Sequence, residues 1–182
     1  MREIQVSEIT ALVRRLCMDA NYYLPEEIRK AFVDGKAQEK SPLGREIFDQ
    51  MLENCDFARR EDVPICQDTG MAVIFAEIGQ EVHLTGGNFE TAVNEGVHQG
   101  YLDGYLRCSV VGDPLRRVNT DDNTPAILYT QLVPGEKVRM TVAPKGFGSE
   151  NMSAMKMFTP AATKEQIVDF IVKTCIEAGS NP

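Results

Sequence analysis

The stretch Pro64-Ile65-Cys66-Gln67-Asp68-Thr69-Gly70 is followed directly by the apolar run Met71-Ala72-Val73-Ile74-Phe75-Ala76. A charged run over 53–62 with helical character precedes it. The pattern predicts a short loop between two regular elements, and this loop carries a thiol, a carboxamide, a carboxylate and a hydroxyl. Loops held by rigid flanks often collect binding and catalytic groups. An Asx-type turn with an incidental cysteine is the alternative interpretation.

Apolar periodicity on both sides of this loop predicts alternating helical and extended segments. Helices are expected over 6–20, from 24 to 32, from 42 onward, over 89–100 and over 164–178. Strands are expected over 71–78, 82–84, 126–132 and 138–142. This order indicates an α+β fold, with N-terminal helices packed with a mixed or mainly antiparallel sheet and flanking helices.

Several local details follow from the same patterns. Ser7 is the expected N-cap of the first helix, and the first three helices are expected to turn their apolar stripes toward a core. The strand at 71–78 is expected to be buried on both faces. The turn Pro134-Gly135-Glu136-Lys137 predicts a hairpin between the last two strands.

The length of 182 residues favours one domain or slightly more. We expect a single partial domain over 1–182, with a helical segment at 1–62 and an α+β catalytic part at 63–182.

Charge and hydropathy narrow the class of partner. The formal net charge of −8 argues against nucleic acid or an anionic membrane as partner. No apolar run approaches the roughly 20 residues of a membrane span, and the first residues lack the apolar centre of a signal peptide. The sequence therefore predicts a cytoplasmic protein.

The spacing of the cysteines and histidines argues against a zinc site and against a disulfide framework. There are five cysteines, widely spaced and without a Cys-x-x-Cys pair. Three lie in helical patterns and are expected to be buried as small hydrophobes, namely Cys17, Cys55 and Cys175. The roles of Cys66 and Cys108 are left open by these patterns. His83 and His98 have no second ligand at metal-binding spacing, which also speaks against a zinc or mononuclear-iron hydrolase.

Two further stretches could bind an anion. Arg107, Arg116 and Arg117 lie close together in an acidic chain, and a guanidinium can hold a carboxylate through two parallel hydrogen bonds. Surface ion pairs with nearby aspartates are the alternative, and those candidates are Asp113, Asp121 and Asp122. The run 144–151 presents a Gly-x-Gly-Ser loop after a lysine, whose backbone N–H groups could face an anion.

Together these motifs resemble the iron–sulfur hydro-lyase family, which comprises class I fumarate hydratase and L(+)-tartrate dehydratase. The resemblance is carried, in order, by Ile65-Cys66-Gln67-Asp68-Thr69-Gly70, Leu106-Arg107, the run from Asp113 to Pro125, and Pro144-Lys145-Gly146-Phe147-Gly148-Ser149-Glu150-Asn151. It is closest to the separate alpha subunit of the two-subunit enzymes. Phe147 stands where the single-chain fumarases have a glycine within their Lys-Gly-Gly-Gly pattern.

The resemblance implies a [4Fe–4S] cluster held by only three cysteines. Cys66 matches the first of these ligands. The second follows an Asn-Pro pair in the family, and this sequence stops at Asn181-Pro182, so two further ligands are expected beyond residue 182.

The resemblance also implies roles for other residues. Gln67 and Asp68 would contact a small dicarboxylate substrate, and Asp68 would take or relay a proton from carbon. Arg107 would clamp a substrate carboxylate, and Gly146 and Gly148 would bring backbone N–H groups to the substrate. A beta subunit would complete the site in a dimer or heterotetramer. The resemblance does not decide between fumarate and tartrate as substrate. A second alternative also stays open, in which the chain is a non-catalytic module that docks to a beta subunit.

Overall fold

The structure, a computed structural model, describes residues 1–179, apart from the side chains of residues 149 and 150. Asn181 and Pro182, where the sequence led us to expect the approach to a second cluster ligand, lie outside the described residues. The elements, in chain order, are β1 (Arg2–Gln5), α1 (Val6–Tyr22), α2 (Glu26–Gln38), α3 (Pro42–Glu61), β2 (Met71–Gly79), β3 (Val82–Thr85), α4 (Phe89–Asp103), β4 (Ile127–Val133), β5 (Val138–Lys145), a 3₁₀ helix (Gly148–Met152) and α5 (Lys164–Ala178).

The predicted α+β class is confirmed, and the main sheet is mixed. Its strand order is β4-β2-β5, with β4 parallel and β5 antiparallel to β2. A separate two-stranded parallel sheet pairs β3 with β1, a strand that the sequence analysis did not predict. Among the described residues, no helix combines the length and apolarity needed to cross a membrane.

The predicted hairpin between β4 and β5 is wrong. These strands do not pair with each other, because β2 lies between them and uses both of its edges. The connection passes over the end of β2, where Gly79 N donates to Lys137 O at 2.8 Å and Gln80 N donates to Val133 O at 2.8 Å. The turn sequence correctly indicates that the chain reverses, but it does not specify which strands pair. The more apolar β2 takes the central position between β4 and β5.

The prediction that β2 is buried on both faces is also wrong. Its inner face is covered, with Ala72 and Ile74 fully buried. On its outer face Phe75 is 46% exposed and stacks on Tyr129 of β4, with ring centroids 5.2 Å apart. Only one layer of helices therefore covers this strand within the described residues.

The core lies where α1 packs on α4. Val13 and Cys17 from α1 meet Val93 and Val97 from α4, and all four are 0% exposed. The close approach depends on small residues: a Cβ at Gly96 would lie 2.7 Å from Thr10 O, and one at Gly100 would lie 2.8 Å from Arg14 O. A side chain at either position would force the two helices apart.

The N-terminal helices differ from their predicted packing. α1 begins at Val6 with Gln5 as N-cap, whose N–H donates to Glu8 Oε1, so the expected cap at Ser7 is wrong. α2 and α3 pack mainly on each other, through Phe32 against Phe48. The apolar stripe of α3 stays largely open to solvent, as the exposed fractions of Leu43 (66%), Ile47 (48%) and Met51 (37%) show.

The chain divides into two compact units, Met1–Lys145 and Gly146–Pro182. In the second unit, α5 has the predicted bounds and begins at Thr163, whose side chain accepts from Gln166 N. The packing there joins Phe158 and Phe170, with ring centroids 5.8 Å apart. Cys17 and Cys55 are buried as predicted, but Cys175 on α5 is exposed, because none of the residues of α5 is buried.

Candidate functional site

The loop from Val63 to Gly70 is anchored at its entry. α3 ends at Glu61, and its C-cap residue Asp62 has a left-handed backbone with φ 51°. Ile65 N then donates to Asn21 O of α1 at 2.9 Å, and Ile65 O accepts from Asn54 Nδ2 of α3 at 2.8 Å. The residue just before Cys66 is therefore fixed to two helices.

Cys66 presents its sulfur to solvent. The residue is exposed, and Asp68 N donates to Cys66 Sγ at 3.4 Å. Gln67 Oε1 lies 3.6 Å from the same sulfur. Gln67 is exposed and Asp68 is partly buried, so the thiol, amide and carboxylate lie on one short turn. This arrangement differs from an incidental core cysteine, because the sulfur is accessible and accepts a backbone N–H.

Thr69 ties this turn to the segment that carries Arg107. Thr69 is 2% exposed, and its Oγ1 accepts from Arg107 N at 2.9 Å and donates to Arg107 O at 3.3 Å. The carbonyl of Thr69 accepts from Tyr101 OH at 2.9 Å. Burial is the main cause that raises the pKa of Tyr101, so the phenol acts as a neutral donor. The structure thus brings two sequence-predicted segments together, 66–68 and Arg107.

Arg107 is exposed, and no ion pair involves it among residues 1–179. Its neighbour Leu106 is 6% exposed and anchors the segment in the core. The ion pairs considered for Arg116 and Arg117 with Asp113 are also not found in the described chain. Asp113 Oδ1 instead accepts from Leu115 N at 3.0 Å and Arg116 N at 2.7 Å, as in a turn.

Asp122 and His98 form a small polar cluster beside this segment. His98 Nδ1 lies 3.4 Å from Asp122 Oδ2, and Asp122 Oδ1 accepts from Thr124 N at 3.0 Å. Burial favours the neutral carboxyl, but the hydrogen bonds from Thr124, His98 and Thr120 outweigh it, so the pKa of Asp122 is lowered. Burial, followed by the charges of Asp122 and Asp121, raises the pKa of Cys108. Cys108 is therefore a poor source of thiolate.

Sequence reasoning missed the buried polar residues that hold the site. Among the residues described, three polar side chains are buried, Asn21, Thr69 and Asn123, and Asn123 is 0% exposed. Asn123 lies in the run 119–124, which is rich in turn-forming residues. The available signal was the repeated asparagine within it, since asparagine tolerates left-handed backbone better than most residues. Asn123 has φ 61°.

Two expected site residues belong to the other unit. Gly146 and Gly148 lie in the unit Gly146–Pro182, and both are partly buried. Gly148 begins the 3₁₀ helix Gly148–Met152. Their expected approach to a substrate remains a prediction.

The described residues offer only part of the ligand set that a cluster or metal ion would need. No group of three His, Cys, Asp or Glu residues able to hold a metal ion occurs within the described part of the chain. Cys66 is nonetheless suited to be one ligand, since its sulfur is accessible and hydrogen-bonded by a backbone N–H. Within the described residues, Cys66 is therefore a candidate for a single ligand and not for a complete metal site.

A family profile and individual relatives among known proteins indicate the same family. The profile of the family described as Fumarate hydratase (Fumerase) matches residues 10–182. The "Putative L(+)-tartrate dehydratase subunit alpha" of Methanocaldococcus jannaschii is 32% identical over 182 residues, covering 96% of this chain and 63% of that protein. "Fumarate hydratase class I, aerobic" of Salmonella typhimurium is 32% identical over 172 residues, covering 88% of this chain and 29% of that protein.

A third relative is more distant. The "L(+)-tartrate dehydratase subunit alpha" of Escherichia coli is 24% identical over 170 residues, covering 91% of this chain and 55% of that protein. The chain thus spans less than two thirds of the length of each of these relatives.

Proposed function

The chain belongs to the fumarate hydratase (Fumerase) family, and from this premise we propose that it forms part of a hydro-lyase active site for a C4 dicarboxylate. The reaction would be the reversible addition of water to fumarate. The observation that carries the proposal is the pair of hydrogen bonds by which Thr69 joins the Cys66 turn to Arg107. They put an accessible thiol, a carboxylate and a guanidinium on two linked segments.

Cys66 would hold one corner of a [4Fe–4S] cluster, and two further cysteines outside residues 1–182 would complete its ligands. When bound, such a cluster supplies a Lewis-acidic iron that polarises a substrate oxygen. Cys17 and Cys55 are unsuited to replace the missing ligands. Burial raises the pKa of both thiols, that of Cys17 to about 12, so neither readily becomes a thiolate.

The other residues would bind and orient the substrate. Arg107 would hold one carboxylate through its planar fork, because no aspartate or glutamate in the described chain neutralises it. Gln67 would hydrogen-bond to the substrate through its exposed amide. Asp68 would accept a proton from the carbon next to a carboxylate and return it in the reverse direction. Backbone N–H groups at Gly146 and Gly148 would provide a further contact to substrate.

A beta subunit would supply the rest of the site, in a dimer or heterotetramer. Two of the relatives are named as alpha subunits, which supports a multi-subunit enzyme. The same names support L(+)-tartrate as an alternative substrate. A non-catalytic role, in which this piece only docks to its partner, is the second candidate function, since the resemblance assigns only one of three cluster ligands, Cys66, to this sequence. We also propose the cytoplasmic location that the sequence predicts.

The test is anaerobic reconstitution of the chain in its complete enzyme, with its beta partner, followed by assays on fumarate and on L(+)-tartrate. We expect turnover of at least one substrate. Cys66→Ala should abolish it together with the visible absorbance of the cluster, while Cys175→Ala, which removes another exposed cysteine, should change neither. Full activity of Cys66→Ala would rule out the ligand role.

Arg107 is tested in the same assay. Arg107→Ala should lower kcat/KM by about 10- to 100-fold, because hydrogen bonds to charged groups are worth about 1.5–3 kcal/mol. Arg107→Lys should recover only part of the loss, since lysine keeps the charge but lacks the planar fork. Unchanged kinetics in Arg107→Ala would contradict the carboxylate-binding role.

A further inference from the structure

We propose that Asn123 is a positioning residue for the candidate site, a role that rests on the proposed function. Its side chain joins the same two segments as Thr69, but through Gly70, the residue after Thr69, and through residues that follow Arg107. Asn123 Oδ1 accepts from Ser109 N at 2.7 Å and from Val110 N at 3.2 Å. Its Nδ2 donates to Gly70 O at 3.0 Å.

The two residues make a double connection between the segments. Thr69 bonds to the backbone of Arg107, and Asn123 bonds to Gly70 and to the residues just after Cys108. The turn 66–68 is therefore fixed at Thr69 and Gly70 on one side, and Arg107 is fixed at its own backbone and two residues later. With two tethers, the segments cannot rotate about a single hydrogen bond. Both tethers therefore hold the backbone next to Asp68 in place relative to the backbone of Arg107.

Asparagine suits this position better than aspartate. The backbone is left-handed at φ 61°, which asparagine tolerates. The side chain must accept two N–H groups and donate one N–H to a carbonyl, and an amide can do both. An aspartate would keep the acceptor but would turn a second acceptor toward Gly70 O. The position is 0% exposed, so water cannot replace the lost donor.

Tyr101 completes the connection. Its hydroxyl donates to Thr69 O, and hydrogen bonding with the side chains of Asn21 and Asn123 partly offsets the rise in the pKa of Tyr101 that burial causes. The network thus extends from α4 to both tethers. A change at Asn123 should consequently loosen the turn 66–70 and the segment 107–110 together, and leave the strands unaffected.

The test compares Asn123→Asp with Asn94→Asp. Asn94 is a matched control on α4, because its Nδ2 donates to Glu90 O at 3.1 Å and its Oδ1 accepts from Ala126 N at 2.8 Å, away from both segments. Hydrogen exchange is measured on the full chain, peptide by peptide. We expect Asn123→Asp to speed exchange by about tenfold or more in 64–70 and 107–110, with β2 and β4 little changed. Asn94→Asp should leave both segments at the wild-type rate.

Kinetics of the reconstituted enzyme provide the second measurement. Asn123→Asp should lower kcat/KM about 10- to 100-fold, with a fall in kcat and not only a rise in KM, because proton transfer needs Asp68 and Arg107 aligned on one substrate. Asn94→Asp should retain the wild-type values. Wild-type kcat/KM in Asn123→Asp, or exchange that rises uniformly through β2 and β4, would overturn the proposal. If the wild-type enzyme hydrates no dicarboxylate, the proposed function fails, and the positioning role fails with it even if the exchange pattern still reveals a structural tether.

Discussion

Helices α1 and α3 have the same kind of amphipathic sequence, but the apolar side of α1 is buried and that of α3 is largely exposed. In α1 the stripe Ile9, Val13 and Cys17 is at most 3% exposed. In α3 the stripe Leu43, Ile47 and Met51 is 37% to 66% exposed, and only Cys55 and Ala58 of this helix are buried. Both stripes repeat every three or four residues, so periodicity alone does not distinguish them.

The difference lies in what each helix meets. α1 packs on α4 because glycines at 96 and 100 let the two backbones approach. α3 packs chiefly on α2 through aromatic contact and through ion pairs such as Arg29 with Asp56, at 3.1 Å. An exposed ion pair stabilises by less than about 1 kcal/mol. A stripe therefore predicts that a helix has an apolar side, whereas the packing partner decides how much that side stabilises the fold.

The largest expected contrast is between Ile74→Ala and Ile47→Ala. Ile74 is 0% exposed in the core, so its truncation should lower the free energy of unfolding by about 2–5 kcal/mol. Ile47 is 48% exposed, so its truncation should cost less than about 1 kcal/mol. Urea unfolding of the full chain, followed by circular dichroism, measures both. Equal losses would mean that α3 contributes to the core as much as β2 does.

A smaller contrast is expected between two helical glycines. Gly96→Ala places a Cβ 2.7 Å from Thr10 O, a backbone atom, and should destabilise the chain by about 1–3 kcal/mol. Gly35→Ala meets Phe48 Cζ at 2.9 Å, the far end of a side chain that can shift. Its gain in helix propensity, about 1 kcal/mol, should offset that contact. Thermal unfolding of both variants checks the difference, and a stabilised Gly96→Ala would refute the close packing of α1 on α4.

The smallest effect concerns pH. Burial raises the pKa of Cys17 from its ordinary value of 9.0 to about 12. The thiol of Cys17 therefore loses its proton at lower pH in the unfolded chain than in the folded chain. The free energy of unfolding keeps its full value below the unfolded pKa and declines as pH rises from 9 toward 12. In Cys17→Ala, the free energy of unfolding should fall less steeply between about pH 8 and about pH 10.5. A matching variant, Cys175→Ala, should keep the wild-type slope. Identical slopes in all three proteins would contradict a buried, protonated Cys17.

The candidate site was predictable in part. A loop with polar side chains between a helix and an apolar strand is a local pattern, and the structure places this loop between α3 and β2 as expected. Gly70, which ends this loop, is left-handed at φ 61°, a conformation that glycine adopts without strain. The partners of that loop were not predictable, because Thr69 and Arg107 are separated by 38 positions, and no local pattern specifies such a contact.

By itself, the sequence determined the local structure of this protein: the bounds of α5, the apolar run of β2, the accessible loop at Cys66, and the motifs of a family. These follow from side-chain period, turn chemistry and residue order, which act over a few neighbours. Only the tertiary structure decided that β2 separates β4 from β5, that α1 is buried while α3 is exposed, and that Thr69 and Asn123 join the two segments of the site. Those outcomes depend on the competition of distant surfaces for the same apolar contacts and buried hydrogen-bond partners, which no single stretch of the chain encodes.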